Sequence, residues 1–414
     1  MSEKITALGI IAEYNPFHNG HKYHLDQSLK ESGADVSVAV ISGNFTQRGE
    51  IAMLDKWTRA EIAVKNGVNL VVEMPVIFAC NNAGYFARGG VEILEALGVS
   101  TISFGSELGN MDEIIRIARA MMENEEIIEN KVKQAVKTGL AYPRARQEAL
   151  ISILGHETAA HLETPNNILA FEYLQNMNKA NPMTIRRQGA GYHDLNADQM
   201  FASATAIRQA LSHNEDISRA VPEISREIIE REKENIAYQE KLFHLLCHKV
   251  ITTPAETLNN IFGAEEGLGS AMKKGVRYWK SYEDIIENLK SKRYTRTRIA
   301  RVMIHALLGI TRQEVKSAEN YIRVVAFDKK GSEYLKQVKK TGQCPLPIIT
   351  NINKDTEDCP QIIYTLEKDI FAADLYNLAA GKDLYANSEF VRKPFITGKP
   401  KMEPGKLALE IYER

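Results

Sequence analysis

The sequence predicts an α/β protein. A parallel sheet with helices on both faces comes first, then a mainly α-helical C-terminal region with a small βαβ-like element. Three observations predict this. Short apolar runs alternate with helical segments through the N-terminal part of the chain, the pattern of strands joined by helical crossovers. Polar turns follow those strands, at the edge where open α/β sheets bind ligands. Past about residue 215 charged amphipathic segments take over, and strand signals return only near residues 322–350.

The elements follow in order. Ile5–Ala12 reads as the first strand and Gly20–Glu31 as the helix after it. Val36–Ile41 is the second strand, followed by the polar loop Ser42–Gly49 and a helix over Asp55–Asn66. Leu70–Met74 is the third strand, Asn82–Leu97 a helix and Ser100–Phe104 the fourth strand, closed by Gly105. Residues 111–180 read as helices broken at Pro143 and Pro165, and Met183–Arg187 as a fifth strand. Ser203 or Thr205 is suited to cap the next helix. Ile217–His248 reads as one or two charged amphipathic helices, and more helix follows to about Gly309. Ile322–Phe327 and Leu346–Thr350 read as strands around a helix at Ser332–Lys340, and the tail is helical through Ala380.

Composition narrows the class. A chain of 414 residues, 44% hydrophobic and 25% charged, can bury a large core and suggests two or three domains. A formal net charge of −1 argues against coating nucleic acid through bulk charge, though a local basic face fits it. Cys80, Cys247, Cys344 and Cys359 form no CxxC pair and read as free thiols of a reducing compartment. No signal peptide and no membrane-length apolar run is visible, so a cytoplasmic protein without a membrane partner is expected. No metal-ligand spacing stands out.

His18-Asn19-Gly20-His21 lies at the first strand-to-helix turn. A helix start offers unpaired N–H groups and a positive dipole end, and glycine lets a phosphate come close. Two imidazoles can donate to charge that builds on a phosphate during displacement. Ser203–Arg208 forms a second anion clamp, with hydroxyls at a helix start and an arginine one turn later.

These motifs resemble those of the nucleotidylyltransferase superfamily with a Rossmann-like fold. The matching residues are His18, Gly20 and His21, then Ser203, Thr205, Ile207 and Arg208; Ala204 stands where that superfamily often has serine. More narrowly, Gly9–Leu25, Ser42–Glu50, Phe104–Glu107, Pro165–Leu169 and Arg187–Asp194 resemble the bacterial tRNA(Met) cytidine acetate ligase family. The resemblance implies a Rossmann-like parallel sheet of HxGH nucleotidylyltransferase topology and a two-step reaction. Acetate attacks the α-phosphate of ATP, giving acetyl-adenylate and pyrophosphate. The N4 amine of the wobble cytidine of elongator tRNA(Met) then takes the acetyl group, giving N4-acetylcytidine and AMP. Mg2+ is expected to enter with ATP.

By resemblance, His18, His21 and Arg208 are the expected catalytic residues, the histidines at the α-phosphate and Arg208 with Ser203 and Thr205 on the leaving pyrophosphate. The segment around the first turn would wrap ATP: Ala7, Leu8, Gly9, Ile10, Ile11 and Ala12, then Glu13, Tyr14, Asn15, Pro16, Phe17, His18, Asn19 and Gly20. Gly105, Asn166 or Asn167, and Arg187 with its neighbour Arg186 would complete the pocket. For RNA, the basic run Lys290, Lys292, Arg293, Arg296, Arg298 and Arg301 surrounds Tyr294, and Arg48 follows the second strand. Such a run can hold a phosphate backbone and stack a base. A second basic group comprises Lys329, Lys330, Lys336, Lys339 and Lys340.

The expected organisation is therefore an ATP-binding catalytic domain over residues 1–215 and a mainly helical tRNA-binding region over 216–414. Two other functions share these motifs. One is a nucleotidylyltransferase for a small phosphorylated metabolite; the other is a non-catalytic nucleotide- or RNA-binding protein.

Overall fold

The computed structural model describes residues 4–188, 199–265, 267–291 and 294–399. Its sheet runs β5-β4-β1-β2-β3-β6-β7, with β8 paired to β6. The strands are β1 (Ala7–Ala12), β2 (Val36–Ser42), β3 (Leu70–Met74), β4 (Thr101–Ser106), β5 (Asn181–Arg186), β6 (Ile322–Phe327), β7 (Ile348–Ile349) and β8 (Phe395–Ile396). The first five are parallel, as the alternation of strand and helix requires. The chain steps outward from β1 to β2 and β3, then returns to place β4 on the other side of β1. That reversal opens a crevice at the carboxyl ends of β1 and β4.

Strand periodicity divides the core. Val38 and Val40 of β2 pack on one face with Val72 and Leu94, while Ala39 and Ile41 pack on the other with Leu8, Ile10 and Val71. Successive strand residues point to opposite faces, so one buried strand feeds both layers.

The expected βαβ element is present: β6, the helix Lys329–Thr341 and the parallel β7. It is joined to the main sheet, because β6 lies antiparallel on β3, with Leu70 opposite Phe327 and Val71 opposite Ala326. This covers the hydrogen-bonding edge that β3 would otherwise expose. The sheet therefore draws strands from both sides of residue 215.

The helix expected at Ser332–Lys340 starts earlier, at Lys329, and a short helix at Val76–Ala79 was not expected. The Ile217–His248 stretch is interrupted: a helix spans Glu223–Arg231, two tight turns follow, and the next helix spans Phe243–Thr252. Pro222 sets the first start, where its lacking N–H costs nothing. The β8 pairing had no signal in the sequence; two residues are too few for periodicity.

Candidate active site

The exit of β1 is held from below. The fully buried Arg59 donates to the carbonyls of Leu54 (2.9 Å), Glu13 (2.6 Å), Ser42 (3.0 Å) and Gly43. Tyr14 takes a left-handed φ of 49°, uncommon for a residue with a side chain, within this clamp. The Asn15 amide oxygen accepts from the Met53 N–H at 2.9 Å. Its amide nitrogen is buried and has no hydrogen-bond partner among the described residues. A ligand acceptor in the adjoining cavity would complete it.

His18 and His21 form a reciprocal cap on the helix Asn19–Ser32. His18 Nδ1 accepts from the Gly20 N–H at 3.0 Å, and His21 Nδ1 accepts from the His18 N–H at 3.3 Å. A Cβ on Gly20 would sit 2.8 Å from the His18 ring, so only glycine admits this fold-back. The rings stack with centroids 3.8 Å apart. Because each Nδ1 accepts, the neutral rings carry their proton on Nε2. Burial, with Arg187 and Arg208 nearby, pushes the His18 pKa down to about 3. Burial, His18 and Arg187 hold His21 well below the ordinary imidazole value. Both are neutral N–H donors at physiological pH.

The second clamp forms at the helix Ala204–Ser212. Ser203 caps it, its Oγ accepting from the Ala206 N–H at 3.1 Å. Arg208 donates to the Asn15 carbonyl at 2.9 Å and to Glu50 at 3.0 Å, with the Thr205 hydroxyl at 3.4 Å. Asn19 ties the two clamps together. Its Nδ2 donates to the carbonyls of Met200 (3.0 Å) and Arg219 (2.7 Å), and its own N–H to Ala220 (3.0 Å).

Both clamps line a single cavity of ≈ 490 Å³ at the β1–β4 crevice. His18, Gly20, His21, Ser203, Thr205 and Arg208 all face it. So do Ile10, Ile11, Ala12, Glu13, Tyr14, Asn15, Gly105, Asn166, Arg186 and Arg187. Other expected ATP residues lie outside its wall. Ala7, Leu8 and Phe17 are buried in the core, and Leu94 packs against Gly9. Pro16 is also absent from the lining, and Asn19 is engaged as described. Asn166 and Asn167, alike in sequence, are distinguished. Asn167 is buried, accepting from the N–H groups of Glu107 (3.0 Å) and Leu108 (3.2 Å) and donating to the His161 carbonyl (3.0 Å). Asn166 donates to Glu107 at 2.6 Å and accepts from Arg187 at 3.4 Å at the cavity edge.

The basic run is dispersed. Arg48 and Arg301 line the same cavity. Arg296 pairs with Glu283, Arg298 with Glu265 at 2.9 Å, and Lys290 with Glu287 at 3.3 Å. Tyr294 is buried under the Arg298 guanidinium, 4.5 Å from the ring centroid, so its face is not open to a base. Lys292 and Arg293 lie outside the described residues, as do Gly189–Asp194 of the quoted 187–194 run.

Three lining groups were given no role from sequence. His24 follows His21 by three residues, hence on the same helix face. Its Nε2 lies 3.1 Å from the Ser103 hydroxyl, and burial pushes its pKa down to about 4. Glu50 stood in a quoted motif without a function. Tyr23 and Phe201 meet edge to face across the mouth, centroids 5.8 Å apart. Only the histidine spacing was a readable signal. Among the described residues no group of three or more His, Cys, Asp or Glu could hold a metal ion.

A family model described as HIGH Nucleotidyl Transferase matches residues 5–389. The tRNA(Met) cytidine acetate ligase of Thermoanaerobacter sp. (strain X514) is 39% identical over 397 residues, covering 93% of this chain and 98% of that protein. The protein of the same name from Limosilactobacillus reuteri (strain DSM 20016) is 40% identical over 378 residues, covering 90% and 95%. The crystal structure of Thermotoga maritima TmcAL bound with alpha-thio ATP superposes with a TM-score of 0.85 at 32% identity, covering 95% of this chain and 99% of that one. Its apo form gives a TM-score of 0.88 at 33% identity with the same coverage.

Proposed function

The chain belongs to the HIGH nucleotidyl transferase family, and on that premise we propose that it is an ATP-dependent tRNA(Met) cytidine acetate ligase. One observation supports this above the rest: the imidazole pair and the hydroxyl–guanidinium cluster, about 190 residues apart in sequence, line one cavity.

In the first step an acetate oxygen attacks the α-phosphorus of MgATP and the bond to the β-phosphate oxygen breaks. Acetate is already an anion at neutral pH, so this step needs alignment and charge stabilisation rather than a base. The Nε2–H groups of neutral His18 and His21 are the donors we assign to the α-phosphate. Arg208, with Ser203 and Thr205, takes the departing pyrophosphate as a forked donor. The unpartnered Asn15 amide adds a donor from the β1 exit. In the second step the cytidine N4 amine attacks the acetyl carbonyl and AMP leaves.

Residues 1–215 are proposed as the catalytic unit and residues 216–414 as the tRNA-facing region, with Arg48 and Arg301 reaching the cavity. Among the described residues no helix is long and apolar enough to cross a membrane, and a cytoplasmic location is proposed. The test is mass analysis of tRNA(Met) incubated with the protein, ATP and acetate. A single acetylated cytidine at the wobble position, dependent on both small substrates, is expected; unmodified tRNA overturns the proposal.

A further inference from the structure

The acetyl-transfer step needs something the first step does not. The exocyclic amine of cytosine shares its lone pair with the ring and is a weak nucleophile. Once it adds to a carbonyl, it must lose a proton for the adduct to collapse forward rather than back. A base within reach of that nitrogen speeds the step.

Most titratable groups of the cavity are already committed. The Nδ1 atoms of His18 and His21 accept backbone N–H groups, so Nε2 bears the proton and neither ring has a free lone pair. His24 Nε2 lies at the Ser103 hydroxyl, and its ring also bonds the Phe104 backbone. Glu50 stands against Arg208 at 3.0 Å, within the clamp assigned to pyrophosphate rather than to the acyl group. Tyr14 and Tyr173 are buried phenols held above their ordinary pKa. Glu13 differs. Its Oε1 accepts the Gln47 N–H at 2.9 Å, and its Oε2 receives no hydrogen bond among the described residues.

The position of Glu13 also fits an acceptor that enters from outside. Gln47 donates through Nε2 to the Asn81 carbonyl at 3.0 Å, and its own carbonyl accepts from Arg301 at 3.4 Å. Asn81, Ala83 and Arg301 line a second cavity of ≈ 690 Å³, and Ala83 and Arg301 line the first as well. Glu13 is therefore anchored where the two cavities adjoin. Arg59 fixes its backbone from below through the 2.6 Å bond to its carbonyl.

Resting on the ligase reading, we propose that Glu13 is the general base of acetyl transfer, its Oε2 taking the proton from the cytidine amine. The C–N bond forms, the bond from the acetyl carbon to the adenylate oxygen breaks, AMP leaves with that electron pair, and the N–H proton passes to the carboxylate. Burial holds the Glu13 carboxyl above the usual carboxylate range, which strengthens it as a base.

The test separates the two steps with the whole protein. Acetate-dependent exchange between ATP and pyrophosphate reports the first; single-turnover transfer from preformed acetyl-adenylate to tRNA(Met) reports the second. Glu13→Gln keeps the acceptor for Gln47 but cannot take a proton. It is expected to slow transfer about 100-fold or more, far beyond its effect on exchange, and to remove the acid-side fall of the wild-type transfer rate. Glu13→Asp is expected to restore part of the transfer rate. Equal loss of both steps, or unchanged transfer with an unchanged pH profile, overturns the assignment. If wild-type protein catalyses no acetate-dependent exchange, the ligase reading fails first and takes this one with it.

Discussion

Arg208 holds the Glu50 carboxylate at 3.0 Å while it also donates to the Asn15 carbonyl at 2.9 Å. The guanidinium is thus aimed across the mouth of β1 by one backbone acceptor and by an anion of the protein itself. A pyrophosphate clamp must give up that anion, or share it, when nucleotide arrives. Glu50→Gln removes the competitor without removing the fork. We expect it to lower the KM for ATP about two- to fivefold, the scale of a partly exposed ion pair. Arg208→Ala removes a donor that matters most at the transition state, and acetate-dependent pyrophosphate exchange should fall about 10²–10³-fold. Steady-state exchange kinetics on the two variants checks both; an unchanged rate in Arg208→Ala removes arginine from the first step.

The neutral imidazoles carry a second expectation, which concerns stability. His24 has a folded pKa of about 4 against an ordinary value of 6.5. Between those values the unfolded chain binds the proton and the folded chain does not. The contribution is fully present above the unfolded pKa and is lost as pH falls toward the folded one. Other groups titrate in the same range, so the comparison is between wild type and His24→Gln, which cannot protonate. Denaturant unfolding at a series of pH values should show the wild-type advantage shrinking by about 1.4 kcal/mol per pH unit between about pH 6 and the folded pKa of about 4, and levelling off below it. A pH-independent difference means that His24 titrates alike in both states.

What could be read from the chain is what local pattern encodes. β1 to β4 declare themselves by short apolar runs and by the turns after them, β5 only by a short alternation, and the His18–His21 cap needs only four consecutive residues. The meeting of Ser203–Arg208 with that cap was legible through resemblance, because no local rule links residue 18 to residue 208. Partners that arrive from far along the chain stayed hidden. The segment Lys290–Arg301 contains no acid, yet Glu283 and Glu265 stand against Arg296 and Arg298 in space. Asn166 and Asn167 were indistinguishable until helix geometry turned one inward and left the other at the cavity edge. The antiparallel β3–β6 pairing is likewise a long-range choice that strand propensity does not record.

A buried ion cluster fastens the C-terminal part to the sheet. Lys56 lies between Glu73 at 2.6 Å and Glu389 at 3.0 Å, and the Trp57 indole donates to Glu389 at 3.0 Å. All four side chains are almost fully enclosed. Arg323, equally enclosed, stands 3.6 Å from the Glu389 carboxylate, so removing Glu389 leaves a buried guanidinium without its ion partner in a low-dielectric interior. Glu389→Ala should therefore destabilise the fold by about 3–5 kcal/mol. Urea unfolding followed through tryptophan fluorescence measures it, and a loss below 1 kcal/mol would show that water reaches the cluster.

The proposed RNA contact yields the last expectation, and the structure decides which arginine tests it cleanly. Arg298 donates to the Gly263 carbonyl at 3.2 Å, pairs with Glu265 and covers Tyr294. Its loss would disturb packing as well as charge. Arg296 sits at a helix start and pairs with Glu283, both side chains 55% exposed. An exposed pair of this kind contributes little to folding, and its guanidinium can exchange a carboxylate for a phosphate. If Arg296 contacts the tRNA backbone, Arg296→Ala weakens tRNA(Met) binding evenly across sequence variants. It also lowers the slope of log affinity against log salt by about 1. Pyrophosphate exchange, which requires no RNA, should change far less than affinity does. Filter binding over a salt series reads the slope, and an unaltered slope with unaltered affinity would move the RNA contact away from this helix, toward Arg48 and Arg301 at the cavity.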